Sequence, residues 1–439
     1  MPKETFLLYG KARIPLRVPD HAEVLHTKSV TALPDPVGAV RDALGNPIGS
    51  PPLADLLKRQ KPSNAVITIS DITRPVPNRE VLPPVLDTLH AFGLKEEQIT
   101  ILIATGMHRP STPEERIGLV GADIANRYRI VDHRSERTDE LTPMPRPTLF
   151  GTKAFINKLY MDADFRIVTG FIEPHFMAGF SGGRKGVCPG LANVETVQKF
   201  HGFDFLDSSK AANFVLEGNP LHEEAMDVAG MAGIDFLVNV GLNENKKMAA
   251  VFAGDWKEAF FEGAKKVKEW TGARASEMKE LVITCAGGDP LDKTLYQTGK
   301  GMCSALPLLK EGGTVICASA CGEGLGSPSF TKIMNEWGND WKGFIEWMRN
   351  KNDTVHDQWG FQMHCKVLQR VGVSGLLFAS GGVPFEDQER MSLTPLYRAS
   401  AAVSEEEGIR RAIQERIDKF ADKQIAVIPG GPYTVAIIG

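Results

Sequence analysis

No run of about 18 or more apolar residues occurs in the chain, so the sequence holds no segment able to span a bilayer as a helix. The N-terminus, MPKETFLLYGKARIPLRVP, lacks the apolar stretch of a signal peptide. Cysteine is scarce: there are six, scattered, with no CxxC pair, and Cys317 and Cys321 are the nearest two. That pattern suits structural thiols in a reducing cytoplasm better than a disulfide framework or a Cys-rich zinc site. Basic runs interleaved with aromatics are absent, and the net charge is −4. Neither nucleic acid nor a membrane is therefore an expected partner. Two phosphate-binding signatures are missing as well. No GxGxxG is present, and the lysine of GGRKG is not a Walker lysine because Arg184 stands where that motif requires glycine.

What is present is a globular composition, 42% hydrophobic and 24% charged, over 439 residues, enough for roughly two to three domains. Apolar runs alternate with amphipathic segments, the rhythm of an α/β protein. AVITIS (65–70), ITILIATG (99–106) and FRIVTG (165–170) read as buried strands, and REVLPPVLDTLHAFG (79–93) reads as a helix. The rhythm restarts at LVITCAGG (281–288) and GGTVICASA (312–320). The expected fold is α/β, with two α/β lobes flanking a cleft and joined by two connecting helices. The N-terminal domain is drawn over 1–270 and is rejoined by 424–439. The C-terminal domain is drawn over 278–403, with linker helices at 255–277 and 404–423. The plain alternative is one large sheet with these helices packed on it.

Four unusual stretches follow strands, where loops and helix N-termini converge and ligands bind in α/β proteins. SDITRPVP (70–77) brings Asp71, Thr73 and Arg74. It reads either as an Asx-turn with an exposed arginine or as a guanidinium fork for a carboxylate or phosphate. ATGMHRPST (104–112) brings His108, while Ser111 or Thr112 with Glu114 and Glu115 suits a helix cap. FIEPHFMAGFSGGRKGVCPG (171–190) gathers Glu173, His175, Arg184, Lys185 and Cys188 among five glycines, with His201 close behind. A lysine there is a phosphate contact, or a covalent attachment point where its charge is suppressed. Cys188 reads as a small buried filler. GGDPLDKTLYQTGKG (287–301) places Tyr296 and Lys300 on one helix face beside Gln297. The other histidines, His21, His26, His90, His133, His222, His356 and His364, read as surface or packing residues.

SDITRPVP, ATGMHRPST, GFIEPHFMAGFSGGRKGVCPG, PLDKTLYQTGKGM and DQW (357–359) together resemble the nickel-dependent lactate racemase family, from GNPIGS (45–50) to IPGG near the end. The resemblance implies a nickel-pincer nucleotide, pyridinium-3-thioamide-5-thiocarboxylic acid mononucleotide, covalently linked to Lys185, with His201 as the nickel ligand. It implies His108 and His175 as catalytic acid and base on the two sides of the reacting carbon. The implied reaction inverts a 2-hydroxy acid by reversible hydride transfer through a 2-keto acid. Arg74, Gln297 and Lys300 then match residues that hold the substrate carboxylate, and Tyr296 and Trp359 line the pocket. Asp71, Thr73, Gly182 and Gly183 are assigned to the cofactor, the glycines as space for its flat ring. Lactate is the expected substrate. Departures at CGEGLGSPSF (321–330), at Met107 and at His364 keep a larger or more polar 2-hydroxy acid in view. Cofactor-biosynthesis proteins are the implied loading partners. An NAD-dependent dehydrogenase and a non-catalytic carrier of the nucleotide are the rival readings.

Overall fold

The run AVITIS becomes the strand Ala65–Ser70, buried at every position but the last. Continuous burial of this kind belongs to a parallel strand covered on both faces. The runs at 99–106 and 165–170 become Ile99–Ala104 and Phe165–Ile172, which flank it in parallel. The computed structural model describes residues 1–351 and 353–439. Clustering of backbone contacts divides the chain into two units, one of residues 29–201 and 208–270, the other of 1–28, 202–207 and 271–439.

In the first unit six strands stand in the order Met248–Gly254, Phe236–Leu242, Phe165–Ile172, Ala65–Ser70, Ile99–Ala104 and Arg129–Asp132. All neighbours are parallel except the edge hairpin of Phe236–Leu242 with Met248–Gly254. The chain builds outward from Ala65–Ser70 in one direction, then returns to lay Phe165–Ile172 on its other side. At such a reversal, neighbouring loops leave toward opposite faces and open a crevice at the strands' carboxyl ends. The loops that leave those two strands are the first and third unusual stretches.

The second unit has its own six-stranded parallel sheet, in the order Thr394–Pro395, Leu376–Ala379, Leu309–Ala318, Lys279–Cys285, Ile425–Ile428 and Glu23–Val24. Here the expected domain limits change. The C-terminal segment does not rejoin the N-terminal domain. Ile425–Ile428 lies between Lys279–Cys285 and Glu23–Val24, and Val435–Ile438 pairs with Gly272–Ala275. The first 28 residues also belong to this unit. Leu7, Ile14, Leu16 and Val18 of the hairpin Lys3–Tyr9/Ala12–Val18 share a core with Leu281, Ile283 and Val427. Neither expected linker helix is a free connector. Glu258–Thr271 buries Phe260, Ala264 and Val267 in the first unit, and Glu405–Lys419 buries Ile409, Ile413 and Ile417 in the second. Charge and helix propensity mark a helix, but only its apolar stripe commits it to one core.

The six cysteines are free and buried. Among the described residues no helix is long and apolar enough to cross a membrane. Because Ile425 fills the core of the second unit, Ile425→Ala is expected to cost about 2–5 kcal/mol in denaturant unfolding. A change near zero would place that strand outside the core.

Candidate active site

The loop after Ala65–Ser70 closes on Asp71. Its Oδ1 accepts from Thr73 Oγ1 at 2.7 Å and from Thr73 N–H at 3.3 Å, an Asx-turn. Its Oδ2 lies 2.5 Å from His108 Nδ1, which joins this loop to the one after Ile99–Ala104. The Asp71 side chain is 7% exposed and that of His108 is 56% exposed. Burial alone would raise the Asp71 carboxyl. The His108 hydrogen bond and charge, the Thr73 hydroxyl and the Arg74 guanidinium outweigh it and hold the carboxyl below the usual aspartate range. Asp71 and Thr73, expected against the cofactor, are engaged with each other and with His108. Thr112 caps the next helix, Pro113–Val120, in a capping box with Glu115.

The third stretch is a tight fold of its own. Pro174–His175 pairs antiparallel with Gly179–Phe180. The amides of Met177 and Ala178 each donate to His175 Nδ1 at 3.2 Å, and the imidazole stacks on Phe176 with ring centroids 5.5 Å apart. Gly182 and Gly183 then turn with φ of 73° and 54°. A Cβ on Gly182 would meet Asn239 Oδ1 and Phe171 O at 2.7 Å, and one on Gly183 would meet Phe260 Cδ2 at 2.6 Å. The Cβ side of each glycine is thus filled by the protein. The Gly183 amide is likewise taken, donating to Asn239 Oδ1 at 2.7 Å.

Arg184 is fully buried over the Phe260 ring, 4.4 Å from its centroid, and donates to Ala178 O at 2.8 Å and Gly182 O at 3.3 Å. Burial pushes its guanidinium down to about 9, still charged near neutral pH. Lys185 is only partly exposed. Burial first, then the charges of Arg74 and Arg184, push its amine well below the ordinary lysine value, against a smaller opposing pull from Glu173. An amine so depressed is a nucleophile, as covalent attachment of a carboxyl-derived group requires. Lys185 Nζ lies 5.8 Å from the centre of the Phe200 ring. The next residue, His201, ends the helix Val194–Phe200, and its Nδ1 lies 2.8 Å from Val197 O. Donation from Nδ1–H to that carbonyl fixes the tautomer whose lone pair is on Nε2, as metal-ligating imidazoles require. Gly106 N–H donates to Gly190 O at 2.9 Å, and Gly190 N–H to Lys185 O at 3.1 Å, so the second and third loops are bound together.

Among the described residues no three His, Cys, Asp or Glu side chains gather as a metal site. A depressed lysine amine and an imidazole whose Nδ1 is already engaged fit a metal that arrives with its other ligands attached. A concavity of about 780 Å³ lined by Arg146, Leu216, His222 and Phe261 holds none of these residues. The sequence reading missed Asn239, which anchors the glycine turn; an asparagine inside the apolar strand FLVNVGL was its available signal.

In the other unit the helix Leu295–Ser304 carries Tyr296, Gln297 and Lys300. Trp359 Nε1 donates to Tyr296 Oη at 2.7 Å. The Tyr296 ring lies so close to Gly360 that a Cβ there would be 2.7 Å from it. Burial, then the charge of Asp357, push the Tyr296 phenol up. Gln297 Oε1 is buried with no hydrogen-bond partner among the described residues, an orphan acceptor of the kind a ligand donor satisfies. His364 is buried on the helix Gln358–Gly375, with its ring edge against Phe361. Burial pushes its imidazole down to about 3. Its ring is neutral, and its Nε2 is buried with no hydrogen-bond partner among the described residues.

Two family models match the chain, the lactate racemase N-terminal domain over residues 9–213 and the lactate racemase C-terminal domain over 275–438. The chain belongs to the lactate racemase family. It is 34% identical to the lactate racemase of Thermoanaerobacterium thermosaccharolyticum, over 96% of each chain. It is 39% identical to that of Lactiplantibacillus plantarum, over 75% of this chain and 77% of the relative. The lactate racemase apoprotein structure from T. thermosaccharolyticum superposes with a TM-score of 0.88 at 32% identity, covering 99% of this chain and all of the other. A Thermotoga maritima protein at 19% identity, with a TM-score of 0.65, shares the fold. The family explains the sheet without a dinucleotide fingerprint: the first strand-to-helix turn is SDITRPVPN, which has no glycine.

Gly183→Ala should destabilise the chain by about 1–3 kcal/mol through the Phe260 clash and the positive φ. An unchanged denaturation midpoint would mean that the turn has room. Lys185→Met removes a desolvated amine and keeps the stem, so the cofactor-free chain should melt at the same or a higher temperature. A clear fall in melting temperature would show that the amine holds the fold together.

Proposed function

We propose that the chain racemises a 2-hydroxy acid, with lactate as substrate, using a nickel-pincer nucleotide bound covalently through Lys185. The observation that carries this reading is that one unit holds both a desolvated Lys185 amine and a His201 whose Nδ1 is committed to Val197 O. The curated relatives, both named lactate racemases, support the substrate.

Lys185 would hold the nucleotide, and His201 would ligate its nickel through Nε2. When bound, that group supplies a reversible hydride acceptor. The rest falls to the chain. His108 and His175 take and return the hydroxyl proton. Arg74 offers a planar fork for the substrate carboxylate. Gln297, Lys300, Tyr296 and Trp359 keep their assignment to substrate by resemblance to the family. Asp71 and Thr73 act on His108 rather than on the nucleotide. Gly182 and Gly183 shape the turn that carries Lys185. The reading places the protein in the cytoplasm, in keeping with its six unpaired cysteines, and calls for cofactor-biosynthesis proteins as loading partners.

Chain purified from a host that makes the nucleotide should contain stoichiometric nickel and interconvert D- and L-lactate in a chiral assay. A panel of larger 2-hydroxy acids tests the alternative substrate, and faster turnover of one of them would displace lactate. Lys185→Ala should lose the covalent mass adduct; an adduct that persists in that variant refutes the attachment. His108→Ala and His175→Ala should each cut turnover by about 10²–10⁴-fold while nickel content stays unchanged. Full turnover in either variant would remove that histidine from the chemistry.

A further inference from the structure

The two histidines assigned to proton transfer are held in opposite ways, and the difference sets where each carries its hydrogen. Asp71 Oδ1 is occupied by two donors from Thr73, and Oδ2 faces His108 Nδ1 at 2.5 Å. An ionised carboxylate only accepts. Nδ1 of His108 therefore bears the hydrogen, and the neutral ring keeps its lone pair on Nε2. At His175 the neighbours of Nδ1 are the backbone amides of Met177 and Ala178, each at 3.2 Å. A backbone N–H only donates, so this Nδ1 offers the lone pair and the hydrogen sits on Nε2. Arg184 reinforces the arrangement by holding the Ala178 carbonyl at 2.8 Å.

We propose that His108 and His175 begin as opposite tautomers, His108 presenting a proton-accepting Nε2 and His175 presenting Nε2–H, with Asp71 the positioning residue that makes them unequal. The consequence for turnover rests on the proposed racemase reading; the tautomers do not. His108 starts as the proton acceptor. The hydroxyl proton would pass to its Nε2 and the O–H electron pair would become the second carbon–oxygen bond, while the α-hydride leaves for the acceptor that a group held on Lys185 would supply; the imidazolium then lies against Asp71. His175 starts as a hydrogen donor to the substrate oxygen. For it to accept a proton on Nε2, its own hydrogen must first move to Nδ1, against two N–H groups. The ring or the 176–178 turn must reorient for that to happen. Two enantiomers at equal free energy have equal kcat/KM at every pH, so this inequality is hidden from that ratio and is read at the imidazoles.

The test is nitrogen-15 imidazole spectroscopy of the full-length, cofactor-free chain at mildly alkaline pH. His108 should appear as the Nδ1–H form and His175 as the Nε2–H form. Like tautomers at the two rings overturn the proposal, and that measurement needs no variant. In Asp71→Asn, Thr73 N–H keeps the amide oxygen, which turns the NH2 group toward His108. That ring should switch to Nε2–H while His175 stays as it was. In the loaded variant kcat should fall about tenfold or more with KM little changed. A variant that leaves the His108 tautomer and kcat as in the parent overturns the role of Asp71. A loaded parent that fails to racemise rejects the proposed function and leaves the tautomers standing. Racemisation with like tautomers rejects this inference alone.

Discussion

Between Ala65–Ser70 and Phe165–Ile172 the first sheet reverses its direction of growth, and the site depends on that reversal. Parallel strands send their carboxyl ends to one edge, so the loops that follow them meet there whatever their sequence. Hydrogen bonds then fix the meeting. Asp71 reaches across to His108, Gly106 binds Gly190, and Gly190 binds the backbone of Lys185. Three segments far apart in the chain become one rigid support, which acid–base groups need if they are to be presented in a single geometry.

That support uses groups a purely structural core would avoid. Arg184 is buried against an aromatic ring and two carbonyls. Lys185 has a depressed amine, and the glycine turn leaves no room for a methyl group. Each arrangement costs folding free energy, because charges lose water and the backbone is held at positive φ. The returns are local. Arg184 holds the carbonyl of Ala178, the residue whose amide donates to the His175 ring, and the turn delivers Lys185 beside Phe200. Strain and desolvation concentrated in one loop are characteristic of a site selected for chemistry.

The loops that carry the candidate site were legible in the sequence because loops after apolar runs can be found by pattern alone. His108, His175, Lys185 and Arg74 lie on such loops, and the Thr112–Glu115 cap was readable from spacing. The roles of Asp71, Thr73 and the glycines were not. An aspartate two residues before a threonine predicts an Asx-turn, but its second oxygen is claimed by a histidine 37 residues away. Gly182 and Gly183 read as open space, whereas Phe260, far along the chain, packs against Gly183. Asn239 showed itself only as a polar residue in an apolar strand.

The sequence by itself determined where strands and helices form, which loops carry reactive side chains, and that the chain is α/β. Those properties come from periodicity and backbone preference within a few residues. Tertiary structure decided which sheet takes Ile425–Ile428 and the N-terminal hairpin, which core claims each amphipathic helix, and which nitrogen of each imidazole is engaged. Those outcomes depend on the shape and hydrogen-bonding partner presented by a distant segment. A strand of four apolar residues fits any parallel slot of the right depth, and a histidine carries no mark of its tautomer until a carboxylate or an amide is placed beside it.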